Sequence, residues 1–204
     1  MTKQKTQIVI IHGGMTFKTR ADYVAWLKAR TVSLEKRNSW KNDLEKKVSK
    51  IADVVQPKMP GGDNAKYEDW KIHFERILPL LNKNVIFIGN SLGSIFLAKY
   101  LSEHKIKNNI IATYLVAAPF DNTLTGEDLV GGFRLGKDLS LISKQSNKTT
   151  LFFSADDDVV PLSHAQKFMK KLPDAEVVVY ESKNGHFDIE TFPELVKMVK
   201  EDLK

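Results

Sequence analysis

The sequence contains no cysteine, and this absence excludes both disulfide bonds and thiolate metal sites. A chain without cysteine is expected in a reducing compartment, here the cytoplasm. No apolar run approaches the roughly 20 residues that a membrane-spanning helix requires, and the run Ile8–Ile11 is too short for the apolar core of a signal peptide. We therefore expect no membrane attachment.

Motifs for phosphate and zinc binding are also absent. The sequence has no G-x-x-x-x-G-K-[ST] loop, no G-x-G-x-x-G and no H-E-x-x-H, so nucleotide and zinc chemistry have no local support. The acidic run Asp156–Asp158 leaves a hard-cation site open as a minor alternative, since such ions prefer carboxylate ligands. We predict neither a metal nor a cofactor.

The chain is basic, with a formal net charge of +6 and an isoelectric point near 9.3. Basic proteins often bind nucleic acid, but here the lysines spread over predicted helix faces without alternating aromatic residues. A solvated surface explains them better, and no nucleic-acid partner is predicted. The length of 204 residues fits one domain over residues 1–204, with a monomer as the default expectation.

Strand and helix patterns alternate along the chain, which predicts a parallel sheet covered by helices on both faces, a three-layer α/β/α sandwich. A glycine-rich stretch at residues 119–147 interrupts the alternation and is predicted to be a loop over the carboxyl end of the sheet. A capping box, T-x-x-E at residues 191–194, predicts the start of the last helix. The predicted strands cover residues 7–11, 52–55, 85–88, 110–116, 150–154 and 177–180.

The stretch Gly89–Gly93, sequence GNSLG, follows the buried strand Val85–Ile88 and precedes a helical run. This strand, sharp turn and helix, with serine at the apex, predicts a nucleophile at Ser91. Glycines are needed on both sides because a Cβ there would collide with neighbouring backbone. The helix N-terminus beside Ser91 favours the negative charge that develops in acyl transfer.

A serine nucleophile needs a base and an orienting acid, which on this kind of fold follow it in the order acid, then histidine. The acidic run Asp156–Asp158 comes directly after one later predicted strand, and His186 comes after the next. Because the carboxyl ends of parallel strands share one edge of the sheet, we expect the three groups to converge there.

With these motifs the chain resembles the α/β-hydrolases and is similar to the small serine hydrolases typified by the retinoblastoma-binding-protein family. The resemblance implies a six-stranded, mostly parallel sheet and a triad of Ser91, Asp157 and His186, Asp157 standing four residues before Pro161 in the D-x-x-V-P pattern. Asp156 and Asp158 are then expected to be solvated. The Leu-x-Cys-x-Glu motif that binds the retinoblastoma pocket cannot exist without cysteine, so that partner is not implied.

Two further parts of the site follow from the same motifs. We expect the oxyanion donors to be the backbone amides of Leu92 and Gly14, with Met15 as the alternative to Gly14. Aromatic residues expected near the carboxyl end of the sheet predict a compact apolar pocket that favours short acyl groups. The predicted pocket residues are Phe17, Asn90, Phe120, Phe133 and Phe187.

The sequence thus predicts a serine hydrolase that cleaves small carboxylic esters or amides through an acyl-enzyme intermediate. Two alternatives stay open at this point. One is hydrolysis of aminoacyl esters or peptides, and the other is a catalytically silent protein that uses the same fold for binding.

Overall fold

The computed structural model describes residues 5–35 and 38–204. Its centre is a six-stranded sheet in the order β2-β1-β3-β4-β5-β6, and every neighbouring pair of strands is parallel. The predicted six-stranded, mostly parallel sheet is confirmed, with β2 at one edge and β6 at the other. The strands are β1 Gln7–Ile11, β2 Asp53–Val55, β3 Asn84–Asn90, β4 Asn109–Val116, β5 Thr149–Ser154 and β6 Glu176–Tyr180.

Helices cover both faces of the sheet. Helices α2 and α7 pack with one apolar cluster, whereas α3, α4, α5 and α6 pack with the other. Among the helices of the described residues, none combines the length and the apolar composition that crossing a bilayer requires. The helices are α1 Arg20–Ala29, α2 Trp40–Val48, α3 Tyr67–Ile77, α4 Leu92–Glu103, α5 Ser140–Gln145, α6 Ser163–Lys171 and α7 Pro193–Asp202, with single 3₁₀ turns at Gly62–Asn64 and Leu78–Leu80.

The continuous apolar runs of β1 and β3 are explained by burial on both sides. Alternate side chains of a strand point to opposite faces. Val9 and Phe87 therefore enter the α3 and α4 cluster, while Ile8 and Ile86 enter the α2 and α7 cluster. All four are fully buried. A strand between two helix layers has no polar face, which is why the sequence does not alternate there.

The start of the last helix differs from the predicted capping box. Helix α7 begins at Pro193, and its N-cap is Phe192, which makes no side-chain capping bond. Phe192 is fully buried, with ring centroids 6.0 Å from Trp40 and 5.2 Å from Phe152. Burial of this ring decides where the chain turns, and Thr191 is left exposed outside the helix.

The segment at residues 119–147 contains only the short helix α5 and is tied to the rest of the chain by backbone bonds. Asp128 forms an antiparallel bridge with Thr16, and the amide of Thr125 donates to the carbonyl of Val159 over 3.0 Å. The carbonyl of Gly131 accepts from the Tyr67 amide over 2.8 Å. The segment is therefore fixed to the loops that follow β1 and β5.

Candidate active site

Ser91 occupies a strained turn between β3 and α4. Its φ of 53° and ψ of −118° lie outside the regions that side-chain-bearing residues normally adopt. The turn is held from β4, because the carbonyl of Val116 accepts from the Ser91 amide and from the buried Ser94 hydroxyl, both over 2.8 Å. Neighbouring structure thus fixes a serine at the apex of the turn.

The two glycines that flank Ser91 allow this turn to pack. A Cβ built on Gly89 would lie 2.5 Å from the Cα of Ser94. A Cβ on Gly93 would lie 2.6 Å from the carbonyl oxygen of His12 and closer still to that of Ile11. The amino end of α4 therefore packs directly on the backbone that leaves β1.

Replacing Gly93 with alanine should destabilise the fold by about 1–3 kcal/mol, the cost expected when an extra group is forced into a tightly packed place. Urea unfolding followed by circular dichroism measures the loss. Gly136→Ala is the matched control, because a Cβ there meets nothing within 4 Å. Equal unfolding midpoints for the two variants would show that the contact between α4 and β1 tolerates a methyl group.

His186 and Asp157 form a close pair between the loops that follow β6 and β5. His186 Nδ1 lies 2.8 Å from Oδ2 and 2.9 Å from Oδ1 of Asp157. The side chain of Asp157 is only 2% exposed, and its carboxylate also accepts from the amides of Val159 and Val160 over 2.9 and 2.8 Å. Burial acts to raise the pKa of Asp157, but the bonds from His186 and from the two amides outweigh it and hold this pKa below its usual value.

The two neighbouring aspartates are both exposed, as expected, but Asp156 is also hydrogen-bonded within the protein. Its carboxylate accepts bonds from the Ser154 and Ser182 hydroxyls and from the amides of Lys183 and Gly185. These hydrogen bonds lower the pKa of Asp156, those from the two hydroxyls most strongly. Asp156 therefore anchors the loop that carries His186. Asp158 is likewise exposed, but it makes no such bonds among the described residues.

The strand order places Ser91 beside the glycine loop of β1 and two strands away from Asp157. Between β1 and β3 the order of connections reverses, and ligands of parallel sheets bind at such a point, outside the carboxyl ends. In the described part of the chain no hydrogen bond joins Ser91 to His186. Catalytic bonds of this kind are often long in ligand-free enzymes and shorten when substrate binds.

The loop after β1 corrects one expectation about the oxyanion donors. The Met15 amide donates to the carbonyl of Gly62 over 2.9 Å, so it is not free to bind an oxyanion. Leu92 is the first residue of α4, where an amide has no acceptor within its own helix. Gly13, which was not among the predicted donors, packs close to the nucleophile, since a Cβ on it would be 3.4 Å from the Cβ of Ser91.

His12 supports this loop through both ring nitrogens. Nε2 accepts from the Met59 amide over 2.9 Å, and Nδ1 lies 2.5 Å from the carbonyl oxygen of Gly13. The ring also meets the edge of Trp70 at a centroid distance of 5.5 Å. With both nitrogens and one ring face in use, His12 holds the loop in place.

The phenylalanines predicted to form one apolar pocket lie in separate places. Phe133 is buried in the core against Trp70, and Phe187 is buried on the opposite face of the sheet in the α2 and α7 cluster. Phe120 packs on Phe168 of α6. Phe17 contacts Tyr23 and Trp26, both on the surface helix α1, and Asn90 is half-buried with an enclosed Oδ1 that has no partner among the described residues.

A cleft of about 500 Å³ opens instead beside the β1 loop. Gly13 lines this cleft and packs close to Ser91, so the cleft lies near the nucleophile. Sequence reasoning missed it, although the pair Gly61 and Gly62 signals close backbone packing there. Its walls are polar as well as apolar, and they include His12, Gly14, Tyr23, Lys58, Met59, Asp63 and Asn64.

The chain is similar to known hydrolases in sequence family and in fold. A family model described as serine hydrolase matches residues 33–198. The ydeN gene product of Bacillus subtilis is similar in structure, with a TM-score of 0.77, 19% identity and coverage of 97% of this chain and 98% of that one. A YdeN-like hydrolase of Pectobacterium atrosepticum gives a TM-score of 0.65 at 17% identity, covering 98% of this chain and 91% of that one. A CIB-like hydrolase of Thermoplasma acidophilum gives 0.60 at 18% identity, covering 100% and 88%. Among curated proteins no sequence matches.

Proposed function

This chain belongs to the serine hydrolase family, and on that premise we propose that it cleaves small carboxylic esters or amides through an acyl-enzyme intermediate. Membership of the family implies a hydrolase with small-molecule substrates. The narrower proposal concerns the bond that is cleaved and the residues that act on it. It requires a nucleophile, a base, an orienting acid and two oxyanion donors.

Ser91 is the nucleophile in this proposal. His186 Nε2 takes the proton from the Ser91 hydroxyl as the oxygen attacks the substrate carbonyl, and it then returns the proton to the leaving group. Asp157 keeps the other ring nitrogen protonated and stabilises the imidazolium that forms. Water, activated by the same histidine, then attacks the acyl-enzyme and releases the acid. No cofactor takes part in these steps.

The observation that carries the proposal is the contact of His186 Nδ1 with both oxygens of Asp157 at 2.8 and 2.9 Å. A carboxylate buried beside an imidazole fixes the tautomer in which Nδ1 carries the proton and Nε2 can accept one. The amides of Val159 and Val160 both donate to Oδ1 of this carboxylate, so the pair is oriented before substrate arrives.

The oxyanion is bound by the backbone amides of Leu92 and Gly14. Leu92 follows the nucleophile at the start of α4, where the helix dipole favours negative charge. Gly14 lines the cleft, and a Cβ on it would be 2.7 Å from the carbonyl of Gly62 and 3.0 Å from Leu92 Cδ2. Only glycine fits in this position, between the nucleophile's helix and the loop at residues 57–64.

A fluorophosphonate probe tests the nucleophile directly. If Ser91 is activated, the folded protein should gain one probe adduct per chain, measured by intact mass, and Ser91→Ala should gain none. Ser94→Ala is a matched control, because that neighbouring hydroxyl is buried and bonded to Val116. With no cysteine in the chain, thiols cannot contribute to the signal.

A wild-type protein that is folded but takes up no probe would contradict the proposal. That result would favour the silent alternative, in which the fold binds a ligand without catalysis. Labelling at a residue other than Ser91, located by peptide mapping, would assign the nucleophile elsewhere.

A further inference from the structure

Glu127 belongs to the segment that joins the two sides of the proposed site. Two residues before it, the Thr125 amide donates to the carbonyl of Val159, which follows Asp157 in the acid loop. One residue after it, Asp128 forms the bridge with Thr16, and the Thr16 hydroxyl donates to the Asp128 carbonyl over 2.5 Å. Thr16 follows the glycine loop of β1. Glu127 is thus held between the acid loop and the loop of the proposed oxyanion donor.

The carboxylate of Glu127 is half-buried there and lies within electrostatic reach of His186, Asp157 and Asp158. Among the described residues, it forms no ion pair with lysine or arginine and accepts no hydrogen bond. Burial raises the pKa of Glu127, the two aspartates raise it further, and His186 opposes them. This differs from the adjacent Asp128, whose charge is paired with Lys18 at 2.6 Å.

A half-buried carboxylate with other acids nearby and no cation is unfavourable, since the loss of hydration is not offset by a partner. The backbone bonds on both sides nevertheless keep Glu127 at the site. A cationic group brought by the substrate would supply the missing partner, and its charge-assisted hydrogen bond to the carboxylate would be strong in this partly dry place.

We propose that the substrate carries an ammonium group within a few bonds of the scissile carbonyl, as in an amino acid ester or amide, and that Glu127 binds this group. The inference rests on the proposed function, because the ammonium is located relative to a carbonyl attacked by Ser91. Glu127 is then a specificity-determining residue that selects cationic substrates from the neutral esters that the same triad would cleave.

The test compares two esters that differ only in the amine, 4-nitrophenyl L-alaninate and 4-nitrophenyl propanoate, with the wild type and Glu127→Gln. The variant should lose about 10- to 100-fold in kcat/KM on the alaninate, the range expected when a charged hydrogen bond is removed. On the propanoate it should stay within about threefold of wild type, since uniform loss would require a role in the chemical step. Using each ester's variant-to-wild-type ratio removes the difference in intrinsic reactivity.

Asp158→Asn is the matched control, because it removes the same charge from an exposed position in the same electrostatic neighbourhood. It should change the two esters equally. If Glu127→Gln lost equal activity on both esters, the inference would be overturned, since Glu127 would then act through His186. If the variant lost activity on neither ester, the inference would be overturned as well.

The outcomes also separate this inference from the proposed function. If the wild type hydrolyses the propanoate and Glu127→Gln changes kcat/KM on neither ester, the ammonium site is refuted and the hydrolase proposal stands. A wild type that cleaves neither ester and takes up no fluorophosphonate would refute both.

Discussion

Ser91→Ala and His186→Ala should each lower kcat on a small ester by about 10⁶, and the double variant should lose no more than either one alone. A hydroxyl without its base and a base without its hydroxyl leave the same slow route, in which the oxyanion donors and substrate binding still act. Non-additivity is therefore the sign that the two side chains work as one unit. Because no bond joins them in the described structure, this cycle tests their coupling during turnover.

Long-incubation assays of ester hydrolysis measure these slow rates. Burst titration of active sites shows whether contaminating wild-type enzyme is present. Two controls come from helix α4 and its end, far from the carboxyl edge of the sheet. Ser102 bonds to the Lys99 carbonyl and His104 to the Tyr100 carbonyl. Ser102→Ala and His104→Asn should therefore keep near wild-type turnover. If His186→Ala kept activity within tenfold while Ser91→Ala had none, another group would have to be the base.

The sheet could be predicted because its strands are buried on both sides. Val85–Ile88 has no polar residue, and each of its four side chains is fully buried. The grouping of Ser91, Asp157 and His186 at one edge could be predicted too, because parallel strands bring their carboxyl ends to one edge of the sheet. Neither inference needs any knowledge of side-chain contacts between distant parts of the chain.

Features that depend on such contacts could not be predicted. Asp156 looks like any solvated acid beside a turn, and its role appears only when the loop at residues 182–185 folds back on it. Phe133 and Phe187 lie in loops by sequence, yet they fill the core on opposite faces of the sheet. The position of Glu127 depends on a bridge between residues 16 and 128, which are 112 positions apart.

Asp157→Asn should lower kcat by about 10⁴, the loss found when the orienting acid of the best-studied triad is replaced by its amide. In this chain the reason is geometric. The carboxylate accepts from His186 Nδ1 and from the amides of Val159 and Val160. An amide side chain has only one accepting atom, so its NH₂ group faces either the backbone amides or the imidazole. If it faces the imidazole, the ring proton moves to Nε2, which then cannot take the proton of Ser91.

Folding must be measured together with turnover, because an NH₂ group that faces the backbone would leave the amides of Val159 and Val160 without an acceptor, at a cost of about 1–3 kcal/mol each. The pH dependence of stability separates the two effects. The pKa of Asp157 is below its usual value, so its charge stabilises the wild type above about pH 4, the ordinary value for this group. That contribution is lost as the pH falls through the lowered pKa. Asp157→Asn should lack this acid-labile part, and its unfolding midpoint should change less between pH 6 and pH 3.

Variants of the two flanking aspartates test whether Asp157 is the acid that orients His186. Asp158→Asn should stay within about tenfold of wild type in kcat, as expected for a residue outside the triad. Asp156→Asn should fall between the two, because the amide cannot hold the Lys183 and Gly185 backbone as the carboxylate does, and His186 then loses its fixed position. The loss of kcat in Asp156→Asn should shrink when the temperature is lowered and the loop is steadier, whereas the loss in Asp157→Asn should persist. If Asp158→Asn were the inactive variant and Asp157→Asn turned over normally, the bond seen between His186 and Asp157 would not be the one that orients the base.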